Sequence, residues 1–504
     1  MAHAAAGAPE MSHEARRARQ PAALYVLFLT EMWERFGFYT MFSLFVLYAT
    51  QQIGLDDKDA ALLYGTFASF AYMTTLPGGF LADRLLGFRR AIILGAVVMC
   101  LGYVSLFFAT PATLSISLGV LVVGNGLFKP NVGSLLGTFS GEGDPRRESG
   151  FTIFYLGINT GAFVATLIAG WIGETFGYDI AFGIAGIGKA ISLVTFVVGR
   201  RWLGDKGLPP DPGALRRTRL GLPPMVYLLA GMVGASLVAT FLLRHATMAG
   251  ELLVTVAAIA FGYFILSLHG ESREGRGRAF ALLALILVSI VFWTVYNQAG
   301  TSFLLFTDRL VDRTVFGIVV PPSDFLSLNP LFILLMGGPF AALWIWLARR
   351  GRNPSIPMKF VLGHLLLGAA FLVLFAALRQ GGDGAMPWPW LVLFFALYTA
   401  AEMVLSPVGL AVTTTLAPER LRGFAMGLWL TATALGYYLA GAAAGIAAVP
   451  RGTDDAAMRT IYGSAFLDFG LLAVGGGLVF LALVPWVAGM MRPAAASVAR
   501  NEVA

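Results

Sequence analysis

Residues 21–50 read PAALYVLFLTEMWERFGFYTMFSLFVLYAT. This apolar run is longer than the about 20 residues that a helix needs to cross a bilayer, yet Glu31, Glu34 and Arg35 sit in its middle. Spacings of three and four put all three on one helical face, and Phe38, Tyr39 and Phe42 extend that face. A charged side chain at the centre of a membrane helix costs on the order of 2.5–3.5 kcal/mol by insertion scales. Two readings follow: a charge cluster that only braces the protein, or the wall of a water-lined cavity. They are compatible, because a buried network can brace a bundle and bind a proton.

Working outward, the length test finds fourteen apolar stretches, near 21–50, 59–82, 88–110, 113–139, 149–172, 178–199, 222–243, 247–268, 278–306, 325–348, 357–378, 388–416, 423–449 and 462–489. The chain is 57% hydrophobic and 12% charged over 504 residues, against about 25% charged in soluble proteins. The expected fold is therefore an all-α polytopic membrane protein. With the N-terminus in the cytoplasm, most of the 35 Lys and Arg fall on the cytoplasmic side, among them Arg84, Arg89, Arg90, Arg146, Arg147, Arg273, Arg276, Arg349 and Arg350. That asymmetry orients membrane proteins and predicts both termini inside. The net charge of +7 then reflects topology, and no nucleic-acid partner is expected. Residues 1–20 are polar and the first apolar run continues as a full span, so no cleavable signal peptide is expected.

The stretch 200–221, with Pro209, Pro210 and Pro212, reads as a linker. The two spans after it carry few polar residues and read as a hairpin inserted between two six-helix bundles. The expected segments are a tail at 1–20, a bundle at 21–199, linker and hairpin at 200–277, a bundle at 278–489 and a tail at 490–504. Such a layout suggests a carrier whose halves rock around a midplane site.

Other ionisable groups inside spans are few. Lys129 lies beside Pro130 and after Gly124-Asn125-Gly126, and reads as a partner for Glu31 or Glu34. Glu402, one turn before Ser406 and Pro407, has no cation near it in sequence. An unpartnered buried carboxylate either takes up a proton or waits for a cationic ligand. Lys189 reads as a side chain that snorkels or faces a crevice, His364 as a hydrogen-bonded packing residue, and Asp468 as a solvated group near the outer end of its span. The single cysteine, Cys100, excludes an intrachain disulfide. The five histidines have no metal-ligand spacing, and no phosphate-binding glycine loop precedes Lys-Ser or Lys-Thr. No metal, cofactor or ATP drive is expected, and no nucleophile–base set marks an enzyme.

Several motifs together resemble one family. Gly78-Gly79-Phe80-Leu81-Ala82-Asp83-Arg84 through Arg90 is similar to the cytoplasmic loop of the major facilitator superfamily. Glu31-Met32-Trp33-Glu34-Arg35-Phe36 resembles the ExxERF signature of the proton-dependent oligopeptide transporters. Gly126 through Asn131, Phe154-Tyr155-Leu156-Gly157-Ile158-Asn159, Asn329-Pro330, Glu402 through Gly409 and Met426-Gly427-Leu428-Trp429 follow in the family's order. The resemblance implies a major facilitator fold with two extra helices and uptake of di- and tripeptides driven by a proton gradient, in a bacterial inner membrane. It implies that Arg35, Lys129 and Asn159 meet the peptide carboxylate and that Glu402 and Asn329 hold its amine. Tyr39, Tyr72 and Trp429 would line the pocket, and Glu31, Glu34 and Lys129 would belong to a proton-coupling network.

Two departures stand out. Where the family has an arginine in span 1 this chain has Phe42, and where span 7 has a glutamate it has Asn297. In the family these two residues can pair across the halves; losing both avoids a lone buried charge and leaves Phe42 and Asn297 as candidates for an uncharged gate. Two rival readings follow: a same-fold carrier of another small zwitterion or anion, and a non-transporting peptide receptor.

Overall fold

The computed structural model describes residues 20–140, 144, 146–211, 213, 222–380 and 384–491. Both tails and most of the linker's middle therefore lie outside the described residues. Sixteen α-helices account for most of the rest: α1 Ala22–Gln51, α2 Asp57–Met73, α3 Thr75–Leu81, α4 Gly87–Phe107, α5 Leu114–Gly137, α6 Arg146–Phe176, α7 Tyr178–Gly199, α8 Pro224–Arg244, α9 Ala246–Ser267, α10 Arg273–Tyr296, α11 Ser302–Leu310, α12 Leu328–Arg349, α13 Ile356–Gln380, α14 Pro389–Leu416, α15 Arg422–Ala443 and α16 Asp455–Met491.

Among the described residues, eleven helical runs are long and apolar enough to cross a membrane. The eleven omit α5 and α1, the second of which carries three charges in its middle. They also count Asp57–Phe107 as one run of 51 residues, which at 1.5 Å per residue is far longer than a bilayer core of about 30 Å. A π-helical turn at Ala82–Leu86 and a positive φ of 70° at Gly87 bend the chain inside it.

α1 packs on α6 and α7, and α4 on α5 and α7; α13 packs on α14 and α16, and α10 on α15 and α16. These are the two bundles. α8 lies on α5, α9 lies on α15, and the two touch each other, so the inserted pair reaches from one bundle to the other. The bundles meet mainly where α2 packs on α15 and α6 on α12. At Gly65 and Gly441 the α2–α15 contact is backbone to backbone: a Cβ on Gly65 would lie 2.6 Å from the Tyr437 carbonyl oxygen, and one on Gly441 would lie 3.0 Å from the Gly65 Cα.

Several spans differ from the sequence reading; 59–82, for one, is interrupted at Thr74 between α2 and α3. The stretch 278–306 is not one helix: it breaks at a 3-10 turn, Asn297–Gly300, and resumes as α11. Gln298 makes the break tolerable, because its amide donates to the Ala440 carbonyl at 2.9 Å and accepts from Ser302 at 2.8 Å. Irregular backbone at membrane depth needs such partners. α16 begins at Asp455, ahead of the apolar run, because the Asp454 carboxylate caps it by accepting from Ala457 N. Four short strands were also not anticipated: β1 Val311–Asp312 pairs with β4 Met386–Pro387, and β2 Thr314–Val315 with β3 Ile318–Val319, closed by Phe316 and Gly317 at positive φ.

Candidate functional site

The charges of α1 are held by close helix contacts. Gly161 of α6 lies so near α1 that an added Cβ would be 3.2 Å from the Arg35 Cβ. Arg35 bonds the Glu34 carboxylate, and its Nε lies 3.3 Å from Glu31 Oε1. All three residues are at most 5% exposed. The guanidinium carbon also stands 4.9 Å from the centre of the Phe38 ring. Lys129 is placed by the contact of α3 on α5, where Gly78 meets the Gly126 backbone. Its ammonium stands 3.7 Å over the Tyr72 ring, and Tyr72 in turn stacks on Tyr437 of the second bundle.

Between the bundles lies a cavity of about 220 Å³. The first bundle contributes Arg35, Tyr39, Phe42, Tyr72, Tyr155 and Asn159, and the second Trp293, Tyr296, Asn297, Asn329, Tyr398 and Glu402. Glu402 has no salt bridge among the described residues. Neutral donors hold it instead: Tyr296 Oη at 2.6 Å and Asn329 Nδ2 at 3.0 Å, both to Oε2. Tyr398 stacks on Tyr296 at 4.1 Å and donates to its carbonyl, which fixes the first donor. Tyr39 lines the same cavity as Arg35 and Glu402.

At the end of the molecule carrying the α1–α2 and α11–α12 connections, the bundles are clasped. Arg309 grips Asp57 with both terminal nitrogens, at 2.6 and 2.7 Å, and Asp57 also accepts from Val449 N. Asp324 accepts from Gly170 N at 2.8 Å, and Gln51 donates to Asp308 at 2.9 Å. The Phe42 ring packs on Tyr64 at 5.1 Å, and a Cβ on Gly300 would fall 3.3 Å from the Phe42 tip.

Most residues expected from the sequence converge here: Arg35, Tyr39, Tyr72, Asn159, Asn297, Asn329 and Glu402 line one cavity. Lys129 and Trp429 do not line it. Lys129 is held over Tyr72 outside the wall, and Trp429 is 4% exposed with its ring against Gly409. The expected ion pair of Lys129 with Glu31 or Glu34 is replaced by Arg35, which takes both carboxylates. Phe42 reaches across to Gly300, while the Asn297 amide donates within its own helix to the Trp293 carbonyl at 2.8 Å. Lys189 does not snorkel: it is fully buried. His364 is buried with both ring nitrogens against carbonyls, of Phe360 and Val288, as expected; Asp468 is exposed, well inside α16. Tyr155, Trp293, Tyr296, Tyr398 and Tyr437 were missed.

A cavity enclosed between two helical bundles, with opposite charges on facing walls, defines a membrane carrier of the major facilitator type and not an enzyme. The chain belongs to the POT family, whose model matches residues 89–460. It is 34% identical over 475 residues to dipeptide and tripeptide permease A of Edwardsiella piscicida, covering 93% of this chain and 95% of the relative. It is also similar to a mutant of the peptide transporter POT solved with alafosfalin (TM-score 0.81, 32% identity, 94% of this chain and 96% of that one). A third likeness is a POT family transporter solved with 5-aminolevulinic acid (TM-score 0.80, 25% identity, 93% and 97%).

Proposed function

We propose that this chain imports di- and tripeptides together with protons by alternating access, crossing a bacterial inner membrane fourteen times with both termini in the cytoplasm. The observation that carries this reading is the placement of Arg35 and Glu402 on opposite walls of one cavity. A short peptide is a zwitterion, and a dipeptide spans roughly 7 Å at about 3.5 Å per residue. Glu402 would take the peptide ammonium, with Asn329 beside it; Arg35, with Asn159 and Lys129 near, would take the carboxylate. The tyrosines between them offer hydroxyls and ring faces without charge, which suits varied side chains. Glu31 and Glu34, held by Arg35, would bind the coupled proton, and the proton gradient would drive uptake without a cofactor.

In this arrangement 21–199 and 278–489 are the moving bundles, 200–277 joins them, and the clasped end faces outward. The test is uptake of a labelled dipeptide by proteoliposomes, with and without an inward proton gradient. Accumulation above the external concentration only with the gradient supports the reading; equal uptake in both conditions overturns it.

A second reading, a carrier of another small amino-carboxylate zwitterion, is favoured by the likeness to the transporter solved with 5-aminolevulinic acid and by the uncharged Phe42 and Asn297. Competition between dipeptides and single amino-carboxylates in the same vesicles separates the two.

A further inference from the structure

We propose that Lys189 is the counter-ion of the Glu31–Glu34–Arg35 cluster, a positioning residue that makes proton uptake depend on bound peptide. This rests on the proposed peptide symport. Three contacts fix where the side chain goes. Ser192 donates to the Thr30 carbonyl at 2.6 Å, a Cβ on Gly188 would lie 2.7 Å from the Phe36 ring, and one on Gly37 would lie 2.8 Å from the Ala185 carbonyl. Residues 185, 188, 189 and 192 thus share the face of α7 pressed on α1, and Lys189 enters α1 at the level of its charges.

There it is 0% exposed. Its ammonium stands 3.1 Å over the Phe128 ring and has no hydrogen-bond partner among the described residues. Glu31 Oε2 and Glu34 Oε1 are likewise buried without a partner. A buried charge persists only when compensated. Glu34 and Glu31 are the groups whose fields act most strongly on the Lys189 ammonium. The other titratable groups in range are Arg35 on α1, Cys100 on α4 and, through Glu31 and Glu34, Lys129 on α5 and Tyr103 on α4.

The charge count gives the role. Glu31 and Glu34 against Arg35 alone leave one negative charge, and Lys189 cancels it. Lys129, over Tyr72 and only partly buried, makes no ion pair with either carboxylate. A proton added to either carboxylate then leaves one positive charge in excess. A peptide carboxylate at Arg35 offsets that charge, so proton and peptide each favour the other's binding, reciprocally. Without Lys189 the cluster starts negative and accepts a proton whether or not peptide is present.

The test is reconstitution of the parent, Lys189→Met and Lys189→Arg. If the parent fails to accumulate dipeptide on a proton gradient, the symport reading fails first and separately. If it succeeds, Lys189→Met should lower gradient-driven accumulation by about tenfold, within the usual range of coupling between sites. Exchange of labelled for unlabelled dipeptide at equal pH should persist, and the pH of half-maximal uptake should move to more alkaline values. Lys189→Arg should stay close to the parent. A Lys189→Met protein with the parent's accumulation and pH profile overturns the proposal, as does Lys189→Arg failing in the same way as Lys189→Met. Should Lys189→Met not fold, Glu31→Gln/Lys189→Met removes one charge of each sign; recovery of folded protein supports the counter-ion, and no recovery overturns it.

Discussion

The phenolic hydroxyl of Tyr296 donates to Oε2 of Glu402 across 2.6 Å. Asn329 donates to the same oxygen, so both neutral donors are spent on one side of the carboxylate and Oε1 is left for a ligand. A hydrogen bond to a charged partner contributes about 1.5–3 kcal/mol. Glu402→Gln should therefore raise the half-saturating dipeptide concentration by about 10- to 100-fold, and N-acetylated dipeptides should compete poorly with the parent. Equal competition by acetylated and free dipeptides would remove Glu402 from amine binding.

Lys129 stands on the Tyr72 ring and not in the carboxylate cluster. Lys129→Ala should weaken binding of free-carboxylate peptides more than of C-terminally amidated ones. Inhibition constants for the two peptide types in counterflow decide it. An equal loss for both would assign Lys129 to packing.

Arg309 and Asp57 tie α11 to the start of α2 with two short bonds, and Asp57 is 7% exposed. Arg309→Ala removes charged hydrogen bonds of about 1.5–3 kcal/mol in total effect and should shift the protein toward opening at this end by about tenfold or more. With Cys100→Ala as background, Asn297→Cys should label faster from outside when Arg309 is also replaced. Unchanged labelling means that other contacts keep this end shut.

Phe42 meets Tyr64 and Gly300 in an uncharged contact. Phe42→Arg alone should cut uptake, because an unpaired buried charge costs about 3–5 kcal/mol by analogy with broken buried pairs. Adding Asn297→Glu, one turn before Gly300, should restore part of it. Strict additivity in a double-mutant cycle at matched expression would show that positions 42 and 297 never meet.

Gly170 gives its N–H to Asp324 across the bundle boundary and has no room for a side chain, since a Cβ would run into Asp324 and Ser323. Gly170→Ala should hold this end apart and slow exchange several-fold, with the fold retained; near-parental counterflow would contradict this.

How far the sequence alone reaches depends on rarity. Glu31, Glu34, Arg35 and Glu402 were legible because a charge in an apolar run is an exception. Asn297, Asn329 and Asn159 were legible only through motif resemblance. Tyr296, Tyr398 and Tyr437 were not: with 13% aromatic residues, nothing distinguishes a tyrosine facing a cavity from one facing a neighbouring helix. The Asp57–Arg309 clasp joins positions 252 apart, and no local pattern announces it. Nothing in its own span tells that Lys189 is buried against α1, since a lone lysine in a span more often reaches the membrane surface.

Gly65 and Gly441 bring α2 and α15 together backbone to backbone. Where two helices interlock through side chains, sliding one past the other means unseating each knob in turn, and every step has a rotamer barrier. At the glycine pair there are no knobs to unseat, so the helices can roll there with little beyond the Tyr72–Tyr437 stack to repack. A pivot with so few knobs adds little friction, so turnover is expected to follow how fast the ionic and hydrogen-bonded fastenings at the clasped end let go.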